Sequence, residues 1–208
     1  LNHPNIMAIY DCDEEEGEHF LVLEYLEGQT LRSILGYADE QKILPQDFAF
    51  HIALSTLNAL EYAHNQGVIH RDLKPENIMV AGEKVTLMDF GLARIQDETA
   101  ITRRPTLMGT ATYMAPEQLT GEPADVRTDL YTFGVILYEI LAGRRPFIAP
   151  QPELVAFMHL HQTPPSPRDF NPEISRPLEY LILKLLEKKP DDRYPSAAKV
   201  REVLENLE

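Results

Sequence analysis

The sequence predicts an α+β fold in which a short β-rich start leads into a mostly helical body. Three patterns carry that expectation. Two β-prone runs lie near the start, at 6–11 and 19–25. Long helical apolar patterns follow at 46–66 and 126–142. Between these helices, short apolar runs flank the most polar motifs of the chain. A length of 208 residues fits one domain and supports a sizeable core.

The elements follow in order. Phe20-Leu21-Val22-Leu23 is rich in strand formers, and Gly17 ends the acidic run Asp13-Glu14-Glu15-Glu16 between the first two strands. That run reads as a solvated hairpin tip, since no calcium-loop spacing follows it. Over 46–66, Phe48, Ile52, Leu57, Leu60 and Ala63 keep helical spacing, and Gly67 stands where such a helix stops. Val68-Ile69, Ile78-Met79-Val80 and Val85-Thr86-Leu87-Met88 are strand candidates. Residues 92–114 have no period and read as a loop. The helix at 126–142 is apolar on most faces, which places it at the centre of the domain. Prolines punctuate 146–172 around a short helix near 153–162. Helices near 177–187 and 196–207 close the chain, and no repeat or low-complexity linker interrupts it.

Hydrophobic content of 44% and charged content of 25% are ordinary for a globular chain. No apolar run is long enough to span a bilayer, and no signal-peptide pattern opens the sequence. The lone Cys12 cannot form an internal disulfide, which suits a reducing compartment. A net charge of -14 argues against nucleic acid or anionic lipid as partners and favours basic peptides.

Four ordered motifs carry the chemistry. They are His70-Arg71-Asp72-Leu73-Lys74-Pro75-Glu76-Asn77, Asp89-Phe90-Gly91, Ala115-Pro116-Glu117, and Asp129 with Gly134. Each alone is weak; the ordered set is specific. The chain resembles the eukaryotic-type (Hanks-type) serine/threonine protein kinases, in the style of bacterial receptor kinases. The resemblance implies a kinase-like fold, with 1–24 a remnant of the small lobe, 25–28 the hinge and 29–208 the large helical lobe. It implies ATP with Mg²⁺ or Mn²⁺, and transfer of the γ-phosphate to Ser/Thr hydroxyls of protein substrates.

By the same resemblance Asp72 orients the acceptor hydroxyl and takes its proton, and Lys74 contacts the transferring phosphoryl group. Asn77 and Asp89 are the metal ligands. Leu23 is the gatekeeper, backbone groups of Glu24 and Leu26 meet the adenine edge, and Met79 and Met88 floor its pocket. His70, Phe90 and Ile9 form an apolar column. Arg71 implies control by loop phosphorylation, with Thr106 the first candidate, Thr102 the second, and Thr110 shaping the peptide site. Glu117 and Arg193 form a buried ion pair, and Asp129 holds the catalytic loop. Tyr131 stands where the family usually has Trp. His159 and His161, two apart on one helix, do not face a common metal.

No glycine-rich loop or Val-Ala-Ile-Lys-type strand precedes Asp72, and the chain opens on Leu1. The expectation is an N-terminally truncated kinase domain, inactive alone, with bared β edges and poor solubility. A cytoplasmic kinase domain is expected, in a parent that could be membrane-anchored and could homodimerise. Two alternatives are a non-catalytic pseudokinase scaffold and a small-molecule kinase of related fold. Intact Asp72, Asn77 and Asp89 count against the first. Arg71, the Ala-Pro-Glu motif and the threonine-bearing segment count against the second.

Overall fold

The computed structural model describes residues 1–15, 18–36, 42–90 and 111–207. Strands β1 (Ile9–Glu15) and β2 (Glu18–Leu23) form an antiparallel hairpin, with a bulge between Ile9 and Asp11. The first strand therefore begins three residues later than the sequence pattern implied and runs into the acidic segment. Residues before it do other work. Leu87 donates to the Asn5 carbonyl at 2.8 Å, and Met7 donates to the Leu87 carbonyl at 2.8 Å. The Asn5 amide adds a bond to the Val85 carbonyl at 2.8 Å. Every side chain of β2 is exposed, on both faces of the hairpin.

A second sheet is built from β3 (Gln29–Thr30), β4 (Ile78–Ala81) and β5 (Lys84–Leu87), all antiparallel in the order β3-β4-β5. Gly28 enters this sheet at φ +123, and a Cβ there would lie 2.4 Å from the Val80 carbonyl oxygen, so only glycine fits. Val68 and Ile69, expected as strand, are irregular backbone. The reason lies in the preceding helix end, described next.

Helix α1 (Leu31–Leu35) starts on Thr30, whose hydroxyl accepts from the Ser33 N–H. Helix α2 (Gln46–Asn65) ends with Gly67 donating to the His64 carbonyl and Val68 to the Ala63 carbonyl. With Gly67 at φ 73, this is a Schellman ending, and it consumes the Val68 N–H that a strand would need. After α3 (Pro116–Thr120) comes α4 (Val126–Ala142), in which every residue from Thr128 to Ala142 is buried. Helices α5 (Pro152–His161), α6 (Arg176–Leu185) and α7 (Ala197–Glu205) complete the helical body. The short helices α1 and α3 escaped the sequence reading because five residues give too little periodicity to detect.

Helix α4 packs on α2 and α6, and α2 packs on α7 and on β5. Gly134 lets α6 approach: a Cβ there would meet the Leu185 Cβ at 2.6 Å. The core thus sits around α4, and the β3-β4-β5 sheet lies on its edge with the loop of residues 70–77 between them.

Candidate active site

The loop between Val68 and Ile78 is held by a buried carboxylate on α4. Asp129 accepts the His70 N–H at 2.9 Å and the Arg71 N–H at 2.9 Å, and its Oδ2 lies 2.7 Å from the His64 Nε2. An acid in the first turn of α4 also suits that helix end. Arg71 takes φ 67, a left-handed conformation rare for a residue with a side chain. Side chains grip both of its backbone groups: Asp129 takes its N–H, and the Gln118 amide donates to its carbonyl at 2.7 Å. Such a conformation persists only where its surroundings fix it.

His70 is fully buried. Its Nε2–H donates to the Met88 carbonyl at 2.9 Å, and its Nδ1 accepts from the Asp72 N–H at 3.3 Å. Both ring nitrogens are engaged, which fixes a neutral imidazole. Burial pushes its pKa down, in keeping with that neutral form. His70 therefore ties the end of β5 to the loop. It also packs against Phe90, with ring centroids 4.6 Å apart and the rings tilted at 56°. Ile9, expected in the same column, is 53% exposed on β1. This departs from the expected apolar column, because among the described residues nothing covers the faces of the two-stranded sheet of β1 and β2.

The loop delivers Asp72 half-exposed. Lys74 Nζ donates to Asp72 Oδ2 at 2.6 Å, and the Asn77 amide donates to the Asp72 carbonyl at 2.9 Å and to Oδ2 at 3.3 Å. With its nitrogen committed to Asp72, the buried Asn77 has its amide oxygen left for another partner. The Met88 N–H bonds the Asn77 carbonyl at 2.9 Å, so Asp89 follows directly beside it. Asp89 too has a positive φ, 61. Asn77 and Asp89 thus bring hard oxygen donors, the type Mg²⁺ or Mn²⁺ takes, onto neighbouring stretches of backbone. Among the described residues, no three His, Cys, Asp or Glu side chains form a metal-holding group. The pair accordingly fits an ion completed by phosphate oxygens rather than a protein cage.

Leu23 ends β2, and Glu24 and Leu26 follow it. Leu23 is 37% exposed. The Glu24 N–H is taken by the Ala8 carbonyl at 2.9 Å, leaving its carbonyl oxygen for a ligand. Its carboxylate accepts from the Ala8 N–H and from Lys84 Nζ, which hold its pKa below the usual range. Met79 pairs in register with Thr30 and Thr86 on the small sheet, and Met88 follows β5; both are half-buried.

Glu117 and Arg193 meet in two parallel bonds, Nη1 to Oε1 at 2.7 Å and Nη2 to Oε2 at 2.9 Å. Arg193 also donates to the carbonyls of Glu187, Arg127 and Lys188, so all five of its donors are used. Burial alone would raise the Glu117 carboxyl, but the guanidinium and the Thr128 hydroxyl outweigh it and hold the pKa low. The Arg193 guanidinium also stacks over the Tyr131 ring at 4.7 Å. Thr102, Thr106, Thr110 and Gly91 lie outside the described residues.

The sequence reading missed four participants. His64 braces Asp129 and Gln118 grips Arg71; both lie close to the motifs in sequence but stand at none of the motif positions. Glu139, a lone acid in an apolar helix, was a visible signal; it pairs with Arg32 at 3.1 Å. His159, set aside as a metal ligand, is buried, takes the Tyr131 hydroxyl at Nδ1 (2.8 Å) and donates from Nε2 to the Thr112 carbonyl (3.0 Å).

Comparison with known proteins gives this geometry a family. The profile described as Protein kinase domain matches residues 1–205. The chain is 42% identical to the serine/threonine-protein kinase PknB of Mycobacterium leprae over 207 residues, covering 97% of this chain and 33% of that protein. It is 41% identical to a probable serine/threonine-protein kinase of Streptomyces coelicolor, covering 97% of this chain and 30% of the other. The chain therefore spans about a third of the length of these relatives. The crystal structure of the Mycobacterium tuberculosis PknI kinase domain matches with a TM-score of 0.76 at 25% identity, covering 100% of this chain and 74% of that one. A profile match over almost the whole length, relatives named as kinases and a shared fold converge on one conclusion: the chain belongs to the protein kinase family.

Proposed function

We propose that the protein carrying this chain transfers the γ-phosphate of ATP to serine or threonine hydroxyls of other proteins. The family uses ATP and a divalent metal in general. One observation carries the proposal: the Asp72 carboxylate is held between Lys74 Nζ and the Asn77 amide, on a loop pinned by Asp129. In this reading Asp72 orients the acceptor hydroxyl and receives its proton. Lys74, 2.6 Å from that carboxylate, balances the charge of the transferring group. Asn77 Oδ1 and Asp89 hold the ion, which neutralises phosphate charge when bound.

Residues 25–28 serve as the hinge between a small lobe and residues 29–208. The Glu24 carbonyl and the Leu26 N–H meet the adenine edge, with Leu23 behind it and Met79 and Met88 beneath. His70 and Phe90 support the Asp89 turn. Arg71 receives a phosphate placed on Thr106 or Thr102, since a phosphothreonine pairs bidentately with a guanidinium. Thr110 shapes the peptide site. Basic proteins are favoured substrates in bulk, given the net charge of -14. The 208-residue chain by itself transfers phosphate poorly, because it holds no glycine-rich loop and no strand lysine to fix the phosphates.

The test is Asp72→Asn in the whole protein, with ATP, Mg²⁺ and a serine peptide. Transfer should fall by about 100-fold or more, the usual scale for a lost proton acceptor, with nucleotide affinity unchanged. Equal rates for the two proteins would remove Asp72 from the mechanism.

A further inference from the structure

His159 on α5 is a buried titratable group that the chemistry around Asp72 does not use. Phe147 packs edge-on against its ring, with centroids 5.0 Å apart. The Thr112 carbonyl lies 3.0 Å from Nε2 and can only accept, so Nε2 carries the ring proton. Nδ1 of the neutral ring is then the acceptor, and the Tyr131 hydroxyl donates to it at 2.8 Å. The chain of bonds therefore has one direction, from Tyr131 on α4 through His159 to the segment that leads into α3. Burial is the largest cause that keeps the ring neutral. The charges of Lys188 and Arg145 add to it, against the bond to Thr112.

Three different helices hold that segment. Helix α5 takes the Thr112 carbonyl through His159, and α4 takes the Tyr113 hydroxyl through Glu139. Helix α3 takes the Ala115 N–H through the Gln118 amide oxygen at 3.0 Å. Ala111, Tyr113 and Ala115 are buried, whereas Thr112 and Met114 between them are half-buried. The segment thus has an inner side gripped by helices and an outer side toward solvent. The grip at Thr112 is the one on the backbone nearest to Thr110, two residues earlier. A phenylalanine would fill the space of the His159 ring but could make neither bond.

We infer that His159 is a positioning residue for the acceptor peptide, holding the Thr112 carbonyl so that residues 111–115 keep one shape beside Thr110. This rests on the reading of the protein as a protein kinase that phosphorylates serine or threonine. His159 acts through Thr112 and touches neither nucleotide nor peptide. The Tyr131 hydroxyl serves the same end, because it fixes which nitrogen of His159 donates. A segment without this bond must be ordered when the peptide binds, and that ordering is subtracted from the affinity. Loss of the bond therefore weakens peptide binding and leaves the nucleotide and the proton transfer at Asp72 alone.

The experiment uses the whole protein, ATP with Mg²⁺ and a fluorescent basic serine peptide. Peptide affinity is read by anisotropy. The KM for peptide, the KM for ATP and kcat are read by phosphate incorporation. His159→Phe should weaken peptide binding and raise the peptide KM about tenfold, roughly 1.4 kcal/mol. Its ATP KM and its kcat should stay within about twofold of the wild type, the split that marks lost binding rather than lost chemistry. His159→Gln should recover most of the peptide affinity, since an amide offers both a donor and an acceptor. Should His159→Phe not fold, Tyr131→Phe withdraws only the hydroxyl, and a rise of about threefold in the peptide KM alone is expected. A folded His159→Phe, or in its place Tyr131→Phe, with unchanged peptide affinity overturns the inference, and so does a variant in which both KM values and kcat change together. A wild type that binds the peptide but transfers no phosphate would sink the kinase reading instead, and the affinity ratio between wild type and variant would still decide the role of His159.

Discussion

Asp129 shows how one side chain shapes a loop that lies 58 and 59 residues away in sequence but adjacent in space. Its carboxylate accepts from two backbone N–H groups and faces His64. Asp129→Ala would strand these donors, at about 1–3 kcal/mol each. Urea unfolding should show the loss, and a change under about 1 kcal/mol would mean that other contacts hold the loop. His159 makes a second residue-level prediction. Burial pushes its pKa to about 4 from an ordinary 6.5, and the charges of Lys188 and Arg145 act in the same direction. The folded state therefore binds fewer protons than the unfolded state between these values, so stability is full above pH 6.5 and falls as pH drops toward 4. Each unit crossed costs about 1.4 kcal/mol. Buried His70 shares the direction, while Glu117 and Asp125, held below their ordinary carboxyl values, lose their contribution only at lower pH. His159→Gln should flatten the stability profile between pH 6.5 and 4.5 without removing the slope below it. An unchanged slope in that window would show that His159 does not carry it.

At the scale of elements, α4 organises the domain. It offers Asp129 to the loop, Tyr131 to His159 and Arg193, and Glu139 to Arg32. Its position against α6 depends on a missing side chain. Gly134→Ala would place a Cβ 2.6 Å from the Leu185 Cβ, an atom fixed to its own backbone. The helices must separate, and the strain of overpacking, about 1–3 kcal/mol, should exceed the helix-propensity gain of up to about 1 kcal/mol. Thermal unfolding should therefore come at a lower temperature. A rise would mean that α4 and α6 can slide apart without loss.

Across the whole molecule, burial is uneven. The helical body is packed around α4, whereas Ile9, Tyr10, Phe20, Leu21, Val22, Leu23 and Tyr25 are exposed on or beside the hairpin. Apolar strands with open edges pair with copies of themselves. The isolated 208-residue chain is expected to self-associate, and Phe20→Lys with Val22→Thr should shift its sedimentation toward monomer. Unchanged self-association in that double variant would place the sticky surface elsewhere.

The sequence by itself determined the order of the long helices and of the first two strands, the central burial of α4 and the loop motif that carries Asp72. Those features are local: an apolar run on every helical face has only a core to go to, and loop motifs are read as contiguous residues. Val68-Ile69 was misread because a helix ending at Gly67, and not strand propensity, decides where their N–H groups go. The register of β1 was misplaced for a similar reason, since residues 5–7 bond to β5 rather than to β2. Only the tertiary structure brought Arg32 to Glu139, 107 residues apart, Gln118 to Arg71, and His159 to Thr112. No spacing rule links such pairs, because their distances are set by how α4 packs against its neighbours and not by any period along the chain.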